Sequence, residues 1–210
     1  MAKVQGVKEK LHSPLYDAFF VPGPPAEKTF SAAMTDPRMI RFFVDVQNKT
    51  KLETNLQAAG VLPSLNTFEA RALRVVVSSL HRFSPAKPKP AELQAERNDA
   101  EILADLIYNS VTALIVGEKV MIEMPTFWFP AGAGVSPGFT TANHGEPDPT
   151  ATFRFAEPVF IEPQQNFRVE MLFPQGVPGQ AAPDQFNLAG VKGPLRIWVV
   201  LDGYLTRDVQ

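Results

Sequence analysis

The sequence contains no cysteine among its 210 residues. That absence excludes disulfide bonds, cysteine nucleophiles and thiolate metal sites. The chain also lacks any run of the roughly 18 to 20 apolar residues that a membrane-spanning helix requires, and its first residues lack the apolar core of a signal peptide. We therefore expect a globular protein that is made and assembled in the cytoplasm.

An excess of one charge sign is absent too, since the formal net charge is −2. The chain therefore has no global basic field that would attract nucleic acid, and we predict no sequence-specific nucleic-acid binding. None of the three histidines has another histidine at ligand-like spacing. His144, Glu146 and Asp148 could share a metal ion, but the same stretch is typical of a solvated turn. We predict no metal site and no cofactor, with the 143–148 loop as the open alternative.

Motifs for catalysis are equally scarce. The glycine-rich stretch at 132–138 is not followed by a helical pattern, which a phosphate-binding loop needs. Ser78, Ser79 and His81 lie close together, but they lack a Gly-x-Ser-x-Gly turn and an orienting acid. We therefore predict that the chain has no catalytic residues and is not an enzyme.

Proline is abundant and scattered, with 20 residues spread along the chain. Proline is excluded from helix interiors and from central strands, so these residues divide the chain into short segments. Short segments with many turns favour a β-sandwich or barrel. Alternating apolar residues mark the clearest strands, at 167–173 and 195–201, and a switch of alternation within 67–80 predicts a bulge or burial on both faces.

The fold predicted from these patterns is all-β: a single jelly-roll β-sandwich of about eight strands. We assign the sandwich to residues 38–210, with one short helix in which Ile102, Leu103, Leu106 and Ile107 follow helical spacing. Glycine at 117 between two apolar runs predicts a hairpin.

Residues 1–37 are predicted to form an extended N-terminal arm, because five prolines interrupt them. Phe19 and Phe20 would reduce solubility in a free tail, so we expect them to contact a neighbouring subunit. We also expect that removal of residues 1–30 leaves the sandwich folded but impairs assembly. Its lysines make it a candidate for weak contact with anionic lipid or nucleic acid.

A second aromatic group follows the predicted hairpin at Phe127, Trp128 and Phe129, just before a loop rich in glycine and proline. Two interpretations are open. These side chains contact another copy of the chain, since aromatic residues are enriched at the centres of interfaces, or they pack in the core of the subunit.

Three segments, residues 54–76, 106–134 and 193–210, resemble the jelly-roll major capsid proteins of tailless icosahedral bacteriophages. The resemblance covers about half of the chain and depends on strand and turn sequences. It implies that copies of the chain form capsomers and a shell, together with other virion proteins, and that no cofactor is used. The predicted function is therefore a structural virion protein. The alternative is a carbohydrate- or receptor-binding β-sandwich in which Trp128, Trp198 or Tyr204 stacks on sugars.

Overall fold

The computed structural model describes residues 8–23, 25–36, 38–79, 106–130, 136–137, 142–143, 150–174 and 193–208. Within them the strands are β1 (Lys8–His12), β2 (Leu15–Val21), β3 (Met39–Phe42), β4 (Thr67–Ser79), β5 (Val111–Val116), β6 (Lys119–Pro125), β7 (Ser136–Pro137), β8 (Ala142–Asn143), β9 (Arg154–Ile161), β10 (Phe167–Leu172) and β11 (Leu195–Asp208). Helical structure in this part of the chain is limited to α1 (Phe30–Ala33), a 3₁₀ turn at Thr126–Trp128 and a helical turn at 106–108.

Eight of these strands pair as one long hairpin folded over on itself. The antiparallel pairs are β2 with β11, β3 with β10, β4 with β9, and β5 with β6. Further antiparallel pairing of β11 with β4 and of β10 with β5 joins them into two sheets, ordered β2-β11-β4-β9 and β3-β10-β5-β6. This is the strand order of a jelly roll. The prediction of an all-β sandwich is confirmed.

The core lies between the two sheets and follows the alternation in the sequence. Phe167, Val169 and Met171 are buried along β10, and every second residue of β11 from Leu195 to Leu201 is buried as well. Because side chains alternate across a strand, this pattern decides which face of each sheet points inward. The alternation predicted for both strands therefore separates an inner face from an outer face.

The switch of alternation in β4 coincides with two irregularities of pairing. The register of β4 shifts against β9 between Ala70 and Ala72, and against β11 between Asp202 and Gly203. At the second shift the backbones approach closely, because a Cβ added to Gly203 would lie 2.1 Å from the carbonyl oxygen of Glu69. Glycine is therefore required there for close approach.

The prediction of an extended N-terminal arm needs correction. β1 and β2 lie end to end along the same edge of β11 and keep one register, from Lys8 opposite Asp208 to Val21 opposite Leu195. Leu15, Ala18 and Val21 of β2 are buried, so this segment belongs to the sandwich. The prolines that suggested an arm include Pro14 and Pro22, which bracket β2, and the pairing partner of this strand lies at the other end of the chain.

Part of the predicted helix is present in the structure. Residues 106–108 form a helical turn in which Leu106 is buried, whereas Ile102 and Leu103 lie outside the described residues. The structure also has α1, which the sequence analysis did not predict. Thr29 caps this helix, because its hydroxyl oxygen accepts a hydrogen bond from the backbone N–H of Ala32 at 3.3 Å.

The two N-terminal strands should differ in their importance for folding. Deletion of residues 1–12 removes β1, whose side chains are mostly exposed, and we expect a folded protein with a Tm lowered by about 5 °C, because losses of 1–2 kcal/mol cause shifts of that size. Deletion of residues 1–22 also removes the buried side chains of β2, and we expect no cooperative unfolding transition. Circular dichroism with thermal melts checks both. A cooperative β-type melt in the longer deletion would contradict the integration of β2 into the sandwich.

Candidate functional site

Three aromatic side chains form a continuous exposed group at the end of the four-stranded sheet. Tyr108 is 71% exposed, and Phe127 and Trp128 are each 47% exposed. The ring centroids of Tyr108 and Phe127 are 5.9 Å apart and those of Phe127 and Trp128 are 6.0 Å apart, with interplanar angles of 34° and 31°. We call these three residues the aromatic strip.

The aromatic strip is anchored by a buried group of hydroxyls. Thr126 is buried, and its backbone N–H donates to the carbonyl oxygen of Ser110 at 2.9 Å. Its hydroxyl oxygen lies 2.7 Å from that of Ser110 and 2.8 Å from that of Thr112, and the Ser110 hydroxyl donates to the carbonyl oxygen of Leu106. Buried hydroxyls that satisfy one another in this way hold a unique geometry. They secure the 3₁₀ turn, which carries Phe127 and Trp128 outward.

Phe129 has the opposite orientation and is only 1% exposed. Its ring packs edge-on against Phe153, with centroids 5.7 Å apart, and its carbonyl oxygen accepts a hydrogen bond from the N–H of Val75 at 3.0 Å. Phe153 also contacts Trp128 edge-on at 6.2 Å, so it connects the aromatic strip to the core. Burial removes Phe129 from the candidate subunit contacts.

The other two candidate contacts lie in β2 and are both partly buried. Phe19 packs on the core, with its ring centroid 5.8 Å from that of Phe30. Phe20 lies on the outer face of the sheet, where the guanidinium of Arg196 stands 4.6 Å from its ring centroid. Phe19 is therefore a core residue in this structure, and Phe20 is part of the outer surface of the sheet.

Two of the aromatic residues considered for sugar stacking have partners within the chain. The indole N–H of Trp198 donates to the carbonyl oxygen of Leu52 at 3.1 Å. The ring of Tyr204 lies 4.9 Å from the Lys10 ammonium and 5.0 Å from the Arg71 guanidinium. Trp128, in contrast, presents much of its surface to solvent.

Asp17 and Lys49 form an ion pair at a place where no functional residue was predicted. Asp17 is fully buried, and its carboxylate accepts hydrogen bonds from the backbone N–H of Phe43 at 2.7 Å and from Lys49 Nζ at 2.9 and 3.0 Å. Burial raises the pKa of Asp17 above its ordinary value, although the bonds from Phe43 and Lys49 act in the opposite direction. The ion pair connects β2 to the loop that follows β3.

The strand β3 ends beside the ion pair. β3 stops at Phe42, and the next residue, Phe43, has a φ of 69°. A bulky residue rarely adopts this left-handed conformation, and the hydrogen bond from its N–H to Asp17 supports it here. A signal was available in the sequence, because Asp17 occupies the same alternation position as the buried Leu15 and Val21.

A second charged group fastens β1 to the sheet. Glu69 accepts hydrogen bonds from Lys10 and from Arg71 Nε, the latter at 2.7 Å. These bonds lower the pKa of Glu69 below its ordinary value. Beside them, Asp202 contacts His12 at 2.8 Å and Arg74 at 3.2 Å. Lys10 and Arg71, the partners of Glu69, are about half exposed, and ion pairs open to solvent contribute little individually to stability, which agrees with a peripheral position for β1.

Among the described residues, no group of three His, Asp or Glu side chains is arranged to hold a metal ion. His144, Glu146 and Asp148 of the candidate metal loop lie outside the described residues. No helix in the described part of the chain is long and apolar enough to cross a bilayer.

No protein-family model matches the sequence. No curated protein matches it either.

Proposed function

We propose that this chain is a structural virion protein: a non-enzymatic, self-assembling capsid subunit of a bacteriophage, assembled in the host cytoplasm. Jelly-roll sandwiches serve as capsid subunits, as lectins and as cupins, so the fold alone does not choose among these classes. The observation that carries the proposal is the aromatic strip, which is exposed on a rigid sandwich and held by buried hydrogen bonds. The resemblance to capsid proteins supports the same choice.

The exposed area of the aromatic strip is large enough to matter for association. An aromatic side chain buries roughly 150–250 Å² when it is fully covered, so the exposed parts of three rings amount to on the order of 300 Å². At about 25 cal/mol per Å², covering that area contributes about 7 kcal/mol before the entropic cost of association. In a symmetric shell the contact recurs in every subunit, and modest affinity at each contact is sufficient.

Partners follow from the same proposal. The main partner is a second copy of the chain, in capsomer and shell contacts, with other virion proteins as further partners. Contact with an internal membrane would involve residues before Lys8, since Lys8–His12 and Leu15–Val21 are strands of the sandwich.

The test is self-assembly of the purified full chain. We expect rings or shells by negative-stain electron microscopy and an association that Trp128→Ala weakens at least about 30-fold, the effect of losing about 2 kcal/mol at an interface centre. Leu65→Ala is the matched control, because Leu65 is 66% exposed but lies outside the aromatic strip. A wild-type chain that stays monomeric at high concentration would overturn the proposal.

A second candidate function, carbohydrate binding, is favoured by one observation. The rings of Phe127 and Trp128 are tilted by only 31° to each other and both are about half exposed, which is a usable platform for the apolar face of a sugar. A glycan array separates the two functions. Trp128-dependent glycan binding by a monomeric chain supports this candidate, and an empty array alongside assembled particles supports the capsid subunit.

A further inference from the structure

The aromatic strip has the form of a surface that recognises proline-rich peptides. The centroids of neighbouring rings are 5.9 and 6.0 Å apart, and the planes of these rings are tilted by 34° and 31° to each other. Surfaces lined by aromatic rings bind polyproline II segments, because such segments are already extended before binding and lose little conformational entropy.

The chain itself carries a matching sequence between β4 and β5. Residues 84–90 read Ser-Pro-Ala-Lys-Pro-Lys-Pro, which places Pro85 and Pro88 three residues apart. A polyproline II helix has three residues per turn and rises about 3.1 Å per residue, so two prolines at this spacing in such a helix would fall on one side, about 9 Å apart. The two steps of the aromatic strip span up to about 12 Å, which accommodates both prolines.

The position of this segment in the chain also fits. Residues 80–105 lie outside the described residues and connect Ser79, the end of β4, to Leu106. Leu106 is two residues before Tyr108, the first ring of the aromatic strip. Extended chain spans at most about 3.3 Å per residue, so Pro90 can reach up to about 50 Å from Leu106, which is enough to reach a neighbouring subunit.

Charge is complementary between the two partners. The segment carries Lys87 and Lys89. Glu123 is an exposed carboxylate on β6, the strand that leads directly into the aromatic strip. Opposite charges on the segment and on the strand that precedes the aromatic strip favour association at low ionic strength.

We propose that residues 84–90 of one copy bind, as a polyproline II segment, to the aromatic strip of a second copy. The occupant is thus a named segment of this chain, and the contact is heterologous. Heterologous contacts build closed rings when the rotation between copies closes. The contact between copies rests on the proposed function as a self-assembling subunit.

The first experiment measures the contact in isolation. A synthetic peptide of residues 82–92 is titrated by calorimetry into the full chain carrying Pro85→Ala and Pro88→Ala, which removes the competing internal segment. We expect saturable binding that weakens at least tenfold when Trp128→Ala is added to the protein, or when the peptide carries the same two alanines. Trp198→Phe in the protein is the control and should leave binding unchanged. Absence of binding, or binding insensitive to Trp128→Ala, overturns the proposal.

The second experiment decides whether the contact forms between copies. One variant carries Pro85→Ala and Pro88→Ala and keeps its aromatic strip; the other carries Trp128→Ala and keeps its segment. Circular dichroism first establishes that both are folded. In sedimentation velocity, we expect each variant alone to associate at least tenfold more weakly than the wild type, and an equimolar mixture to form a heterodimer. A mixture that associates no more than its components overturns docking between copies.

These results are separable from the fate of the proposed function. Wild-type particles together with no peptide binding would reject only the docking. Specific peptide binding by a chain that forms no particles would reject only the capsid subunit.

Discussion

Replacement of Asp17 with alanine should lower the free energy of unfolding by about 3–5 kcal/mol, the usual cost of removing one partner from a buried ion pair. Asp17 is fully buried, and its carboxylate is bonded to both Lys49 and the backbone N–H of Phe43. The substitution leaves an uncompensated ammonium and an unsatisfied N–H in a residue with a φ of 69°. Urea denaturation followed by circular dichroism measures the change.

Two further variants identify the cause of that loss. Asp17→Ala combined with Lys49→Met removes both charges, and we expect it to be more stable than Asp17→Ala alone, because no buried charge remains unpaired. Asp45→Ala is the matched control at an exposed aspartate and should stay within about 0.5 kcal/mol of the wild type. A change of less than 1 kcal/mol in Asp17→Ala would show that the ion pair does not hold β2 to the loop after β3.

Phe129→Ala should also destabilise the protein by about 3–5 kcal/mol, the range for removal of a phenylalanine from a packed core. Phe129 is 1% exposed and packs edge-on against Phe153. Its truncation removes apolar contact area and leaves a cavity beneath the aromatic strip. Urea denaturation of the variant and the wild type gives the difference.

The matched control for Phe129→Ala is two residues away in the chain. Phe127 is 47% exposed, so we expect Phe127→Ala to change the free energy of unfolding by less than about 1 kcal/mol while it weakens association. Stability and assembly should therefore be affected by different members of one aromatic group. Equal losses of stability in both variants would contradict the assignment of Phe129 to the core and Phe127 to the surface.

Much of the fold could be predicted from alternation and turn residues. Alternating apolar residues predicted β10 and β11, and each of these strands buries every second side chain. The change of alternation within β4 likewise predicted its irregular pairing. The β5–β6 hairpin followed from Gly117, whose φ of 62° suits glycine. Each of these signals is local, so no knowledge of distant partners was needed.

The N-terminal segment could not be assigned in this way. Leu15–Val21 contains an aspartate and is bracketed by prolines, and its pattern is irregular. Its burial depends on β11, which lies at the other end of the chain, and its aspartate is satisfied by Lys49 and Phe43. Without knowledge of those partners, the same residues suggest an exposed arm.

The candidate site was predicted in part for a related reason. The sequence indicated an aromatic group at residues 127–129 but could not separate its members, because the 3₁₀ turn at Thr126–Trp128 includes two of them and breaks the alternation of β6. The buried hydroxyls of Ser110, Thr112 and Thr126 decide which rings point outward. Tyr108 was missed because only folding brings it beside Phe127.

The amino-acid sequence by itself determined that this protein is a β-sandwich and which side chains of its clearest strands share a face. The reason is that the two-residue period of a strand can be recognised from neighbouring residues. Only the tertiary structure decided that residues 8–21 complete a sheet, that Asp17 is paired in the interior, and that Tyr108, Phe127 and Trp128 form one surface. Those outcomes depend on contacts between residues far apart in the chain, and alternation specifies the buried face of a strand without specifying its partner.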